Sequence, residues 1–139
     1  MSRHRFAVLG FVLAVASACI TDLEPDPDSV SLDEVLQLTN QLDPAVLPAD
    51  GTSEDLLTAR IPRASRERGI AFKTTAGTLI PGGGTESTVR ATPDPDDPAW
   101  LKATVRLRSD TVATTAFAQA SIGGFTDTLS IAFITPEPR

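Results

Sequence analysis

Tyrosine is absent from the 139-residue sequence, and cysteine, histidine and tryptophan each occur once. The one histidine is His4, so nothing after the fourth residue carries an imidazole. That excludes Ser-His-Asp and Cys-His nucleophilic catalysis, and it excludes zinc held by histidine and cysteine. Cys19 has no partner thiol in the chain. Lysine is confined to Lys73 and Lys102, and the formal charge is −6. Removing a leading segment that carries Arg3 and Arg5 takes this to −8. An acidic chain without a basic patch is repelled by phosphate backbones, so no nucleic-acid partner is expected. No apolar run reaches the roughly 20 residues needed to cross a bilayer core. With six Phe and one Trp as the only aromatics, the core must be built from Leu, Ile, Val and Ala.

What is present is a globular balance, with 41% hydrophobic and 22% charged residues, in a length that suits one domain. Frequent Thr and Ser favour strands over exposed helices. The leading residues have the layout of an export signal: Arg3 and Arg5, a largely apolar stretch from Phe6 to Val15, then the small residues Ala16-Ser17-Ala18. Cys19 follows directly. The string Val15-Ala16-Ser17-Ala18-Cys19 resembles a bacterial lipobox, although Leu is usual where Ala16 stands. That resemblance implies cleavage before Cys19 and acylation of its thiol and amino group. Ala16-Ser17-Ala18 also fits the general signal peptidase, which would cut the same bond, so simple secretion remains the alternative. A lipid on Cys19 accounts for an otherwise unpaired thiol. Two or more acyl chains give stable anchoring where one does not. By resemblance to Gram-negative lipoproteins, Ile20 in place of Asp implies the outer membrane.

Residues 20–34 hold Asp22, Glu24, Asp26, Asp28, Asp33 and Glu34, no base, and Pro25 and Pro27. Mutual repulsion and proline favour an extended, solvated tether. The Glu24 to Asp28 run lacks the glycine and terminal glutamate of a calcium loop.

From Val35 onward the pattern alternates with period two. Leu101, Ala103, Val105 and Leu107 face one way, and Lys102, Thr104, Arg106 and Arg108 the other. The same phasing assigns Leu57, Ala59 and Ile61, then Ile70 and Phe72, then Val89 and Ala91 to buried faces. It does likewise for Ala116, Ala118, Ala120 and Ile122, and for Leu129, Ile131 and Phe133. Phe117 falls on a polar face. Val35 to Leu42 is the expected first strand. Turn signals separate the runs at Asp50-Gly51, Pro81-Gly82-Gly83-Gly84, Pro93 to Pro98 and Gly123-Gly124. Seven short strands in about a hundred residues describe an all-β sandwich. The expected organisation is therefore a signal segment over 1–18, a lipidated Cys19 and tether over 19–34, and a seven-stranded immunoglobulin-like domain over 35–135.

Three stretches resemble bacterial Ig-like domains of the invasin and intimin type. They are Ala49-Asp50-Gly51-Thr52-Ser53, then Gly69-Ile70-Ala71-Phe72-Lys73-Thr74-Thr75-Ala76-Gly77-Thr78-Leu79, and Ala118 to Gly124 followed by Leu129 to Phe133. The resemblance implies a spacer or adhesive unit. The sequence departs from that family's pattern at two loops: Arg63 to Arg68 replaces a turn with Asp/Asn-Gly, and Pro93 to Trp100 replaces a short turn.

Three features are candidates for chemistry. Asp94, Asp96 and Asp97 lie near Trp100 and could form a sugar or calcium site with the indole as a platform. The plain alternative is a solvated acidic loop, with Trp100 at the sandwich edge. Arg60, Arg63, Arg66 and Arg68, offset only by Glu67, make a local positive spot that suits anionic head groups or an acidic partner. Gly82-Gly83-Gly84 lacks the Lys-Ser/Thr and the helix of a phosphate loop. No cofactor, no metal and no catalytic residue is expected. The reading is a non-catalytic, envelope-anchored interaction or adhesion module whose partner is an envelope protein or polysaccharide. The alternative is a carbohydrate-binding module using Trp100 and the Asp94–Asp97 loop.

Overall fold

The computed structural model describes residues 35–138. The export signal, Cys19 and the acidic stretch up to Glu34 lie outside the described residues. Within them the chain forms ten strands: β1 (Gln37–Asn40), β2 (Val46–Pro48), β3 (Glu54–Pro62), β4 (Gly69–Thr74), β5 (Thr78–Ile80), β6 (Glu86–Arg90), β7 (Thr92–Pro93), β8 (Trp100–Arg108), β9 (Thr114–Ile122) and β10 (Phe125–Ile134). One sheet has the order β1-β3-β8-β5, with β7 also on β8, and the other runs β2-β10-β9-β4-β6. Every pairing is antiparallel except β2 with β10. This is an immunoglobulin-like sandwich.

The period-two pattern places the core. Leu57 lies opposite Val105, Ala59 opposite Ala103, and Ile61 opposite Leu101, and all six are buried. From the other sheet come Ile70, Phe72, Ala116, Ala118, Ala120, Ile131 and Phe133. Phe72 sits directly across from Ala120, so a large side chain is set beside a small one and the layer fills without a clash. Val89 and Leu129 are only partly buried and pack against this cluster.

The number of strands is ten, where the alternation alone suggests seven. The three extra strands are β2, β5 and β7. The expected first strand, Val35 to Leu42, is paired only from Gln37 to Asn40. Beyond Gln41, whose N–H still reaches the Leu56 carbonyl of β3 at 3.0 Å, the chain leaves β3 and crosses to the other sheet as β2. The crossing is fixed by Asp55, buried on the inward face of β3. Its Oδ1 accepts the Gln41 and Leu42 N–H groups, each at 3.1 Å, and its Oδ2 accepts the Asn40 side-chain amide at 2.9 Å. A buried carboxylate is tolerable when so fully bonded. Further back on β1, Asp127 of β10 accepts the Leu38 N–H at 2.8 Å. β5 and β7 are short because each pairs only one end of the β8 edge, at Arg106–Arg108 and at Leu101–Lys102.

Strand directions give the sandwich two poles. The N-terminal pole carries Val35, the β3–β4 loop, the β7–β8 loop and the Gly123-Gly124 turn. The C-terminal pole carries the Asp50 loop and residues 135–138.

Candidate functional site

The residues singled out as two separate features, the arginine run and the Asp94–Trp100 loop, meet at the N-terminal pole. The register explains why. Arg60 lies opposite Lys102 and Pro62 opposite Trp100, and outward phasing puts Arg60, Trp100 and Lys102 on the same outer surface. The loop after β7 returns along this surface: the Asp94 N–H donates to the Trp100 carbonyl at 3.0 Å. The loop then holds itself, with Asp96 N–H on Asp94 Oδ1 at 3.0 Å, Ala99 N–H on Asp97 Oδ1 at 3.2 Å and Trp100 N–H on the Asp97 carbonyl at 3.1 Å. Asx turns of this kind suit a Pro-Asp-Pro-Asp-Asp-Pro sequence.

Arg60 is the hub. Its Nη2 donates to Asp97 Oδ2 at 3.1 Å. Its Nε faces Asp94 Oδ2 at 3.5 Å, an ion pair rather than a well-formed hydrogen bond, since Nε is buried without one. Lys102 Nζ stands 3.8 Å from the other Asp94 oxygen. The Arg60 guanidinium also lies over the Trp100 ring, 4.9 Å from its centroid, a cation–π arrangement. Three residues on, just past the end of β3, the same strapping continues: Arg63 Nη1 donates to the Pro98 carbonyl at 3.1 Å and Arg63 N–H to the Ala99 carbonyl at 3.0 Å.

The outcome differs from a solvated acidic loop. Asp94 is buried and shared by two cations, Asp97 is bonded to Arg60, and only Asp96 stands free in solvent. Nor do the four arginines form one spot: Arg60 belongs to strand β3 and is consumed by the aspartates. A sugar platform needs a free ring face with uncommitted acceptors beside it. Here one face of the indole carries a guanidinium and the nearest carboxylate is already neutralised, so the cluster acts as a clasp tying the β7–β8 loop to β3.

Arg66, Arg68 and Arg90 remain without an ion-pair partner among the described residues. Arg68 and Arg90 are neighbours across strands, since Gly69 lies opposite Arg90 and the Ala91 N–H donates to the Arg68 carbonyl at 2.7 Å. Arg66 borders a groove of about 240 Å³ with Val35, Glu67, Ile122 and Phe125. Lys102, Arg90 and Phe125 were not singled out from sequence. The signal for Lys102 was there in the phase of its strand, but joining it to Arg60 requires knowing which strands are neighbours.

At the opposite pole a depression of about 540 Å³ lies between Pro48, Asp50, Ile134 and the residues up to Pro138. Its carboxylate is occupied: Asp50 Oδ1 accepts the Thr52 and Ser53 N–H groups at 2.9 and 2.7 Å, and Oδ2 accepts the Ser53 hydroxyl at 2.7 Å. These bonds, the Ser53 hydroxyl foremost, hold the Asp50 carboxyl well below the usual carboxylate range. Gly51 supplies the left-handed turn, at φ 75°. Among the described residues no group of three or more His, Cys, Asp or Glu side chains is placed to hold a metal ion.

No protein-family pattern matches the chain, and no curated protein sequence matches it. Among solved structures it is similar to one described as the D00-D0 domain of intimin, with a TM-score of 0.50 and 20% identity. The match covers 77% of this chain and 51% of that one, so the chain spans about half the length of the structure it resembles. The likeness places the sandwich among Ig-like folds of the intimin kind.

Proposed function

We propose that the protein is a lipid-anchored lipoprotein of the bacterial envelope, built of a signal segment over 1–18, an acylated Cys19 with an acidic tether over 19–34, and a non-catalytic Ig-like interaction module. The observation that carries the reading is the intimin-like sandwich itself, whose one dense ionic cluster is a clasp between its own strands. Lipid anchoring is supported by the sequence around Cys19, the outer membrane by Ile20. The module meets an envelope protein or polysaccharide, and Arg66, Arg68 and Arg90 are among the cations without an ion pair that it offers. A fold alone does not name a partner, so the test is direct. Cells expressing the wild-type chain are fed a palmitate analogue, and label is expected on the wild type and not on Cys19→Ala. An unlabelled wild-type chain recovered in the soluble periplasmic fraction would overturn the anchor. Crosslinking in the native envelope with and without Arg66→Glu/Arg68→Glu reads the partner surface, and capture that is indifferent to both changes would remove the arginines from it.

A further inference from the structure

The two outer faces of the sandwich differ in charge. On the β3–β8 face Glu54, Arg60, Lys102, Arg106 and Arg108 point outward. On the other, the outward residues of β9 and β10 are Thr115, Phe117, Gln119 and Ser121, then Thr126, Thr128, Ser130, Ala132 and Ile134. Register ties them into rows: Ser130 beside Phe117, Thr128 beside Gln119, Thr126 beside Ser121 and Ala132 beside Thr115. β2 extends the surface with Val46 beside Ala132 and Pro48 beside Ile134. None of these residues is charged, and Phe117 and Ile134 are 51% and 48% exposed. The charged outward residues of the same sheet lie on β4 and β6: Lys73, paired with Glu86 at 3.4 Å, and Arg90, in phase with Glu86 on β6.

We infer that this uncharged face is a self-association surface, and that its occupant is a second copy of this chain, related by a two-fold axis. Two arguments choose that partner. The first is charge. The chain is acidic overall, so two copies repel in most orientations. Across the eleven residues of β2, β9 and β10 no like charges are brought together, and a two-fold contact sets the same patch against itself. Depletion of charge around an exposed aromatic is also the composition that marks interface centres. The second is area. A residue on one face of a sheet occupies about 4.8 by 6.8 Å, so eleven such positions give a footprint of roughly 360 Å², and standing side chains raise the accessible area above this. That approaches the ~500 Å² per partner at the lower limit of specific interfaces and falls short of an obligate one. The dimer is therefore weak and reversible.

The inference stands apart from the lipid anchor and is tested without it. Sedimentation equilibrium is measured on the chain from residue 19 onward with Cys19→Ser, so that neither acyl groups nor an intermolecular disulfide can join two copies. The weight-average mass is expected to rise from monomer towards dimer with concentration. Added salt should strengthen the association, because it screens the repulsion between acidic copies and breaks no ion pair in the contact. Phe117→Arg should weaken it by at least ~100-fold, since the symmetry sets each new charge against its own copy. Thr128→Lys gives the same test at a second exposed position if the first variant melts early. Thr104→Lys, on the opposite outer face, should leave the association unchanged. A monomer at every concentration up to millimolar overturns the inference. So does a dimer indifferent to Phe117→Arg and Thr128→Lys, or one weakened equally by Thr104→Lys.

Discussion

The Arg60 guanidinium lies 4.9 Å from the centroid of the Trp100 ring, and the same group reaches Asp97 Oδ2 at 3.1 Å. One side chain on β3 therefore closes both ends of the β7–β8 loop. The attraction to Asp94 is offset by the desolvation of a buried carboxylate, so the pair is worth less to stability than its removal costs. Arg60→Met keeps the stem over the indole and takes away the cation. It should destabilise by about 1–3 kcal/mol, because Asp94 then keeps only the more distant Lys102. Asp97→Asn, at a more exposed carboxylate, should cost less than ~1 kcal/mol. Denaturant melts of Arg60→Met, Asp94→Asn and the double variant check the pair, and a coupling energy near zero would show that the clasp does not hold the loop.

The strand faces give a second prediction. Phe72 is buried and Lys73, its neighbour, is exposed and paired only with Glu86. Phe72→Ala should cost roughly 3–5 kcal/mol, a large share of the stability of a domain this size. Val105→Ala removes fewer buried carbons and should cost less. Lys73→Ala should change stability by less than ~1 kcal/mol. Melting temperatures for Phe72→Ala and Lys73→Ala that lie close together would reverse the assignment of the faces.

These faces were legible because alternation is a local property. Every residue from Leu101 to Leu107 that the pattern turned inward is buried, and Phe117, which the pattern set on a polar face, is exposed. Strand number was not legible. β5 and β7 exist only because the β8 edge offers them backbone partners, and the early end of the first strand depends on Asp55 capturing the Gln41 and Leu42 N–H groups from another strand. The site suffered in the same way. Arg60 and Asp97 are 37 positions apart in sequence, and no local pattern says that β3 and β8 are neighbours in a register that faces Arg60 with Lys102.

Gly77 tests the tight turn between β4 and β5. Its φ is 80°, and a Cβ there would press on the Arg108 carbonyl oxygen as well as on Leu107 and Phe133 at 3.0 Å. The backbone cannot yield easily, because the Gly77 N–H donates to Asp110 Oδ2 at 2.9 Å. Left-handed strain in an L-residue costs about 1–2 kcal/mol before any clash, so Gly77→Ala should lose at least ~2 kcal/mol. Gly83→Ala is the comparison: its φ is also positive, at 78°, but a Cβ there meets nothing within 4 Å. It should cost only the strain. Equal losses at the two positions would mean that the close packing against Arg108 carries no weight.

Asp50 makes the stability of the C-terminal pole depend on pH. Its carboxylate accepts from the Ser53 hydroxyl and from the Thr52 and Ser53 N–H groups, and these bonds favour the charged form, lowering the pKa on folding. A carboxyl whose folded pKa is depressed binds fewer protons in the native state than in the unfolded one. Its contribution is therefore complete above the unfolded pKa, near 4. It is lost progressively as the pH falls from there towards the folded pKa. Asp50→Asn retains a carbonyl oxygen for the backbone N–H groups but takes up no proton in this range. At neutral pH the variant should melt below the wild type, because it gives up the charge-assisted part of these bonds. Below about pH 4 the wild type should lose stability more steeply than the variant, and the two melting curves should converge. Parallel melting curves from pH 6 down to pH 2 would show that the hydrogen bonds at Asp50 are as well made by an amide, and that its charge contributes nothing to holding the loop.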